Sequence, residues 1–231
     1  MLRVALTGGV GSGKSAVAAM LLELGAAVSQ SDEVGRSLMQ PGQPVFQAVA
    51  EHFGSAVLTP SGALDRAALA HLAFHGGRLE ELNALVHPAV IAAQAQWMDG
   101  VGVANPLAIA VVESALVFET RHGSAAASGP QSEEAAKPWR ERFDRIVVIT
   151  APEDVRLQRY VARVTAGGRG ATDLAAADFR RRAAAQWSDA EKAALADFMI
   201  DNGGSLEALQ EQVQRLFVEL RREAESKAAA R

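Results

Sequence analysis

Runs of consecutive apolar residues alternate along this chain with longer stretches of helical spacing. Residues 2–7 (LRVALT) are apolar nearly throughout and stop at Gly8 and Gly9, the pattern of a strand buried on both faces. Val17, Met20, Leu21 and Leu24 follow at helical spacing, and Gly25 closes that helix. Residues 26–29 predict a second short strand and 32–39 a helix, ended by Pro41 and Gly42. From 44 to 98 the pattern is helical, with turns at 54–55, 60–62 and 76–77. Residues 107–112 (LAIAVV) and 145–150 (RIVVIT) are again continuous apolar runs and predict buried parallel strands. Between them, 123–138 is rich in Ser, Ala, Gly, Glu and Pro and reads as a flexible surface insertion. A helix over 152–164, a glycine-rich loop at 166–172, a helix to 186, a strand at 198–200 and a helix from 205 complete the pattern. The last residues, 223–231, are expected to fray.

Strands alternating with helices predict an α/β fold, a parallel sheet flanked by helices on both faces. The long helical stretch interrupts the second crossover and predicts a separate lobe. At 231 residues the chain has room for one sizeable domain carrying such an insert. Its 23 basic and 27 acidic side chains leave a net charge of −4, which speaks against a broad nucleic-acid surface. Cysteine is absent, which excludes disulfides, thiolate metal sites and a cysteine nucleophile. No apolar run approaches the roughly 20 residues of a membrane span. The chain opens directly into its first strand, so the expectation is a cytoplasmic protein without membrane or nucleic-acid partners.

Candidate chemistry begins at residue 8. Gly8-Gly9-Val10-Gly11-Ser12-Gly13-Lys14-Ser15 matches G-x-x-x-x-G-K-[ST] and lies between a predicted strand and a predicted helix, as a phosphate-binding loop requires. Glycines let backbone N–H groups turn inward on phosphate oxygens, and the following helix adds the positive end of its dipole. Gly9, Val10, Gly11, Ser12, Gly13, Lys14, Ser15 and Ala16 are therefore the expected ATP-binding residues. Lys14 would bridge the β- and γ-phosphates, and Ser15 would hold Mg²⁺ through its hydroxyl.

The class of P-loop protein follows from what accompanies the loop. No N-K-x-D string for reading guanine is present, and the run into an acid that marks larger ATPases is approached only at Glu113. A small-molecule kinase remains, and it needs a base near its acceptor, an acceptor-binding lobe and arginines that close over the phosphates. Asp32 follows the second predicted strand and is the candidate base; helix N-cap is the equally open alternative. Arg159 and Arg163 share one helix face, Arg169 lies in the glycine-rich loop, and Arg180, Arg181 and Arg182 sit on the next helix. Beside a phosphate loop this arrangement favours a lid over a solvated basic face. His71 and His75 have the i, i+4 spacing of zinc helices, but the residues between them carry no glutamate, so an amphipathic helix is expected.

These residues resemble the dephospho-CoA kinase family along nearly the whole chain. VALTGGVGSGKS follows that family's opening; Asp32, Arg36 and Gln40-Pro41-Gly42 resemble its D-x-x-x-R and P-G segment. Gly62 to Arg66 with Leu69, and Leu82-Asn83-Ala84-Leu85-Val86-His87-Pro88, match its G-x-L-x-R-x-x-L and L-N-x-[IL]-x-H-P stretches. Arg182 with Gln186, Ala196-Asp197 and Ile200-Asp201-Asn202-Gly203 match its closing segments. The resemblance implies a P-loop NTPase fold and ATP-dependent phosphorylation of the ribose 3′-hydroxyl of dephospho-CoA. It implies a nucleotide-binding core (1–40, 105–160 and 186–231), a helical CoA-binding lobe (41–104) and a lid (161–185), with an insertion at 121–142. Asp32 then acts as base, Arg159 and Arg163 as catalytic lid arginines, and Arg182 and Asn202 as ATP contacts. Arg66, His87 and Glu119 join Asp32 in binding the acceptor. The chain departs from the pattern at Gln30, where an acid is usual, and at Ala115, where proline is usual. Kinases for other acceptors, and a slow nucleotide-dependent switch, are the competing readings.

Overall fold

The computed structural model describes residues 1–74, 76–119, 137–166 and 172–230. The predicted insertion therefore lies mostly outside the described residues, as do His75 and Arg169. Contacts divide the chain into two compact units: Met1–Ser29, Gly100–Glu119 and Phe143–Arg231 form one, Gln30–Asp99 and Thr120–Arg142 the other. The strands are β1 (Leu2–Gly8), β2 (Ala27–Gln30), β3 (Ile109–Glu113), β4 (Arg145–Thr150) and β5 (Phe198–Asp201). The helices are α1 (Lys14–Glu23), α2 (Ser31–Leu38), α3 (Pro44–Phe53), α4 (Arg66–Phe74), α5 (Leu79–Ala104), α6 (Trp139–Arg142), α7 (Glu153–Thr165), α8 (Thr172–Ala184), α9 (Asp189–Ala193) and α10 (Leu206–Ala229).

Among the described residues the sheet has five strands in the order β2-β3-β1-β4-β5. β1 pairs in parallel with both β3 and β4, and β4 pairs in parallel with β5. This explains the unbroken apolar runs. Val4, Ala5, Leu6, Val111, Val147 and Ile149 are covered from both faces and fully buried. α1 contributes Val17 and Leu21 to that core, and α10 contributes Leu209, Val213, Leu216, Leu220 and Ala224, spaced as one helical stripe. The expected fraying of 223–231 is not what forms: α10 continues to Ala229. Ala224 is fully buried and Lys227 pairs with Asp144 at 2.6 Å, a contact between distant parts of the chain that local composition does not reveal.

The second unit has its own apolar cluster: Val45, Val49 and Phe53 of α3 with Val57 and Leu69, packed by Leu82, Leu85, Val86 and Ala89 of α5. His87 and Pro88 lie inside α5, although a residue before proline is biased away from helix. Burial of the surrounding apolar residues outweighs a local cost of about 3 kcal/mol. Among the described residues no helix is long and apolar enough to cross a membrane.

Candidate active site

The phosphate loop leaves the end of β1 and enters α1 at Lys14. Gly11 and Gly13 hold φ of 77° and 94°, a region that costs any other residue steric strain. Gly13 is needed for a second reason: a Cβ there would lie 2.1 Å from Asn202 Nδ2. That amide instead donates to the Ser12 carbonyl at 2.8 Å. Asn202, expected to contact ATP, is thus buried against the loop itself, and its backbone carbonyl accepts from Arg159 Nη1 at 2.8 Å. Lys14 Nζ folds over the loop and donates to the carbonyls of Gly8 and Gly9, each at 3.1 Å. The N–H groups of Gly11, Gly13 and Ser15 donate to no described residue. Three such donors beside a lysine at a helix start form an anion-binding nest.

Two residues absent from the predicted site hold the loop from outside. Gln186 Oε1 accepts from the Val10 N–H at 3.1 Å. Arg156 lies against Gly9, where a Cβ would come within 2.1 Å of its Nη1, and it pairs with Asp189 at 3.5 Å. A signal for Arg156 was available: it stands at i−3 from Arg159 and i−7 from Arg163, on the same face of α7.

Beyond Asp189, Lys192 is fully buried and pairs with Glu119 at 2.9 Å, while its Nζ also donates to the Ala115 carbonyl. Glu119 Oε1 accepts from the Trp187 N–H at 3.0 Å, and the Trp187 ring stacks on Phe118 with centroids 5.7 Å apart. Glu119 Oε2 is buried and has no hydrogen-bond partner among the described residues. Glu119 therefore fixes the loop after β3.

The arginines expected to form a lid are only partly brought together. Arg163 is exposed and lies 5.3 Å from the Tyr160 ring centroid. Arg182 Nε bonds Asp178 at 2.8 Å, and Asp178 also accepts from Tyr160 and Arg181, which ties α7 to α8. Burial works to raise the Asp178 carboxyl, but the Tyr160 and Arg182 hydrogen bonds outweigh it and hold the pKa at about 2. A depressed carboxylate stabilises the fold fully above its ordinary value of 3.8 and loses that contribution as pH falls through about 2. The difference in Tm between wild type and Asp178→Asn should accordingly be present at pH 6 and shrink towards pH 2. A difference that stays constant over that range would show that the Asp178 charge is not what binds the two helices.

Asp32, Arg66 and His87 belong to the second unit. Gln30, not Asp32, occupies the N-cap position of α2, so the capping alternative is not realised. Asp32 is an exposed residue of the first helical turn and has no side-chain partner among the described residues. Arg66 opens α4, whose first N–H groups are capped by Asp65 at 2.9 and 3.0 Å, leaving the guanidinium exposed. Burial pushes the His87 imidazole pKa down, so it is neutral at pH 7 and suited to hydrogen bonding rather than to pairing with phosphate.

A family model described as dephospho-CoA kinase matches residues 2–128 and 134–208. A dephospho-CoA kinase of Moorella thermoacetica is 35% identical over 223 residues, which cover 96% of this chain and 93% of the relative. One from Aromatoleum aromaticum is 38% identical over 215 residues, with 92% and 91% covered. A solved protein of Thermus thermophilus aligns with a TM-score of 0.67 at 28% identity, covering 95% of this chain and 97% of that one. A dephospho-CoA kinase of Campylobacter jejuni shares the fold, with a TM-score of 0.57, 19% identity and coverage of 94% and 96%.

Proposed function

The chain belongs to the dephospho-CoA kinase family, and from that membership we propose a division of labour among its residues. The reaction is ATP-dependent phosphorylation of the ribose 3′-hydroxyl of dephospho-CoA, the last step of coenzyme A synthesis. The 3′-oxygen forms a bond to the γ-phosphorus, the bond from that phosphorus to the β,γ-bridging oxygen breaks, and the hydroxyl proton leaves. Asp32 takes that proton: its carboxylate is exposed and uncommitted, and it follows directly on the end of β2. In parallel sheets the loops at the carboxyl ends of strands build the ligand crevice.

The loop's free N–H groups and Lys14 bind the β- and γ-phosphates, and this nest is the observation that carries the nucleotide half of the reading. Arg159 and Arg163 stabilise the transferring phosphoryl group, and Arg182 and Asn202 complete the nucleotide site. Arg66 and the neutral His87 bind the acceptor, and Glu119 completes that side of the site. Magnesium suits these residues. The Ser15 hydroxyl is exposed and engaged by no described residue, and among the described residues no group of three His, Cys, Asp or Glu forms a dedicated cage. A Mg²⁺ site made of one protein hydroxyl, phosphate oxygens and water has that character. When bound, the ion neutralises phosphate charge.

ATP consumption by the purified protein with Mg²⁺ should depend on dephospho-CoA and yield coenzyme A. Lys14→Ala should abolish both consumption and product. Turnover that is indifferent to dephospho-CoA would remove the acceptor assignment, and an active Lys14→Ala would remove the phosphate-loop assignment.

A further inference from the structure

We propose that Arg156, held by Asp189, is a positioning residue for the phosphate loop, setting Gly9 and Val10 from outside the anion nest in concert with Gln186. The geometry is specific. The Arg156 guanidinium occupies the space a Gly9 side chain would fill, with Nη1 2.1 Å and Asp189 Oδ1 3.0 Å from an ideal Cβ. The backbone of the same residue closes on the loop a second time: a Cβ on Gly11 would lie 2.5 Å from the Arg156 carbonyl oxygen. Arg156 is only 12% exposed: its guanidinium lies between Asp189, Gly9 and the Phe179 ring, whose centroid is 6.0 Å away, and its Nε is buried with no hydrogen-bond partner among the described residues.

Asp189 is itself well anchored. It opens α9, whose N-cap Ser188 forms a reciprocal capping box with Glu191, and one residue after Glu191 comes the buried Lys192–Glu119 pair. The same short segment begins with Gln186, which takes the Val10 N–H out of the set available to phosphate. One face of the loop is thus fixed by 186–192 and α7, while the N–H groups of Gly11, Gly13 and Ser15 stay on offer. A loop fixed in its binding shape spares the nucleotide the cost of ordering it.

This rests on Gly8 to Ser15 being the nucleotide loop, which an inactive Lys14→Ala checks separately. Arg156→Met, Asp189→Asn and the double variant should be compared with wild type for the Kd of ATP with Mg²⁺, and for the KM of each substrate, kcat and Tm. Each single variant should weaken ATP binding roughly 5- to 30-fold while the KM for dephospho-CoA stays within about twofold. The double variant should be no worse than the poorer single, because the two side chains act as one brace. Gly9→Ala supplies a route that leaves the pair's chemistry intact. Its φ is not in the left-handed region, so the new methyl displaces the flexible guanidinium, and ATP binding should fall as in Arg156→Met. Asp189→Asn binding ATP more tightly would overturn the proposal, because Arg156 would then be a phosphate contact for which Asp189 competes. ATP affinity within twofold of wild type in all variants would also overturn it.

Discussion

Asp32→Asn should leave ATP binding intact and slow phosphoryl transfer to dephospho-CoA by roughly 10²- to 10⁴-fold, the range of a lost general base. The substitution is nearly isosteric and removes only the capacity to take a proton. Its structural cost is small because Asp32 is exposed, has no side-chain partner among the described residues and does not cap α2. What is lost is a carboxylate in a first helical turn, worth roughly 0.3–1 kcal/mol. An unchanged melting profile with a collapsed rate therefore assigns the effect to chemistry. A rate within tenfold of wild type, with coenzyme A still formed, would mean that some other group accepts the proton and that Asp32 at most orients the hydroxyl.

The second large effect concerns stability. Lys192→Met leaves the Glu119 carboxylate, 12% exposed, without its cation, and one Glu119 oxygen already has no partner among the described residues. Removing one member of a buried pair costs roughly 3–5 kcal/mol, against the roughly 5–15 kcal/mol that holds a domain together. The loss comes from the stranded charge and not from the pair's intrinsic worth, so Glu119→Gln added to Lys192→Met should recover much of it. Urea unfolding of the two variants is the measurement. A double variant no more stable than the single would show that Lys192 acts by packing and through the Ala115 carbonyl instead.

The phosphate loop was readable in the sequence because its function is local. Spacing alone fixes which backbone N–H groups precede α1, and Gly11 and Gly13 take up the positive φ that their identity allows. The central strands β1, β3 and β4 were equally readable, since a strand covered on both faces is apolar nearly throughout. The braces were not. Gln186 meets Val10, Asp189 meets Arg156 and Glu119 meets Lys192 only after the sheet has brought distant segments together, so even where a residue was singled out its partner was not. At Pro88 the helical spacing of the stretch proved the better guide: a local preference against helix gave way to the packing of Leu82, Leu85, Val86 and Ala89. The end of α10 did mislead, because the partner that orders it, Asp144, is far away in sequence.

The two apolar clusters differ in how much of the chain must exist before either can close. The cluster of the second unit draws on residues from Leu38 to Ala89, a single contiguous stretch. The cluster around the sheet begins with Leu2 and ends with Ala224. During synthesis β1 precedes both strands that flank it, β3 and β4, and the helix α10 that packs against it. A growing chain therefore carries an apolar strand and its phosphate loop unpaired until β3 has emerged, and without the cover of α10 for longer still, while the lobe's residues are all available before β3 is made.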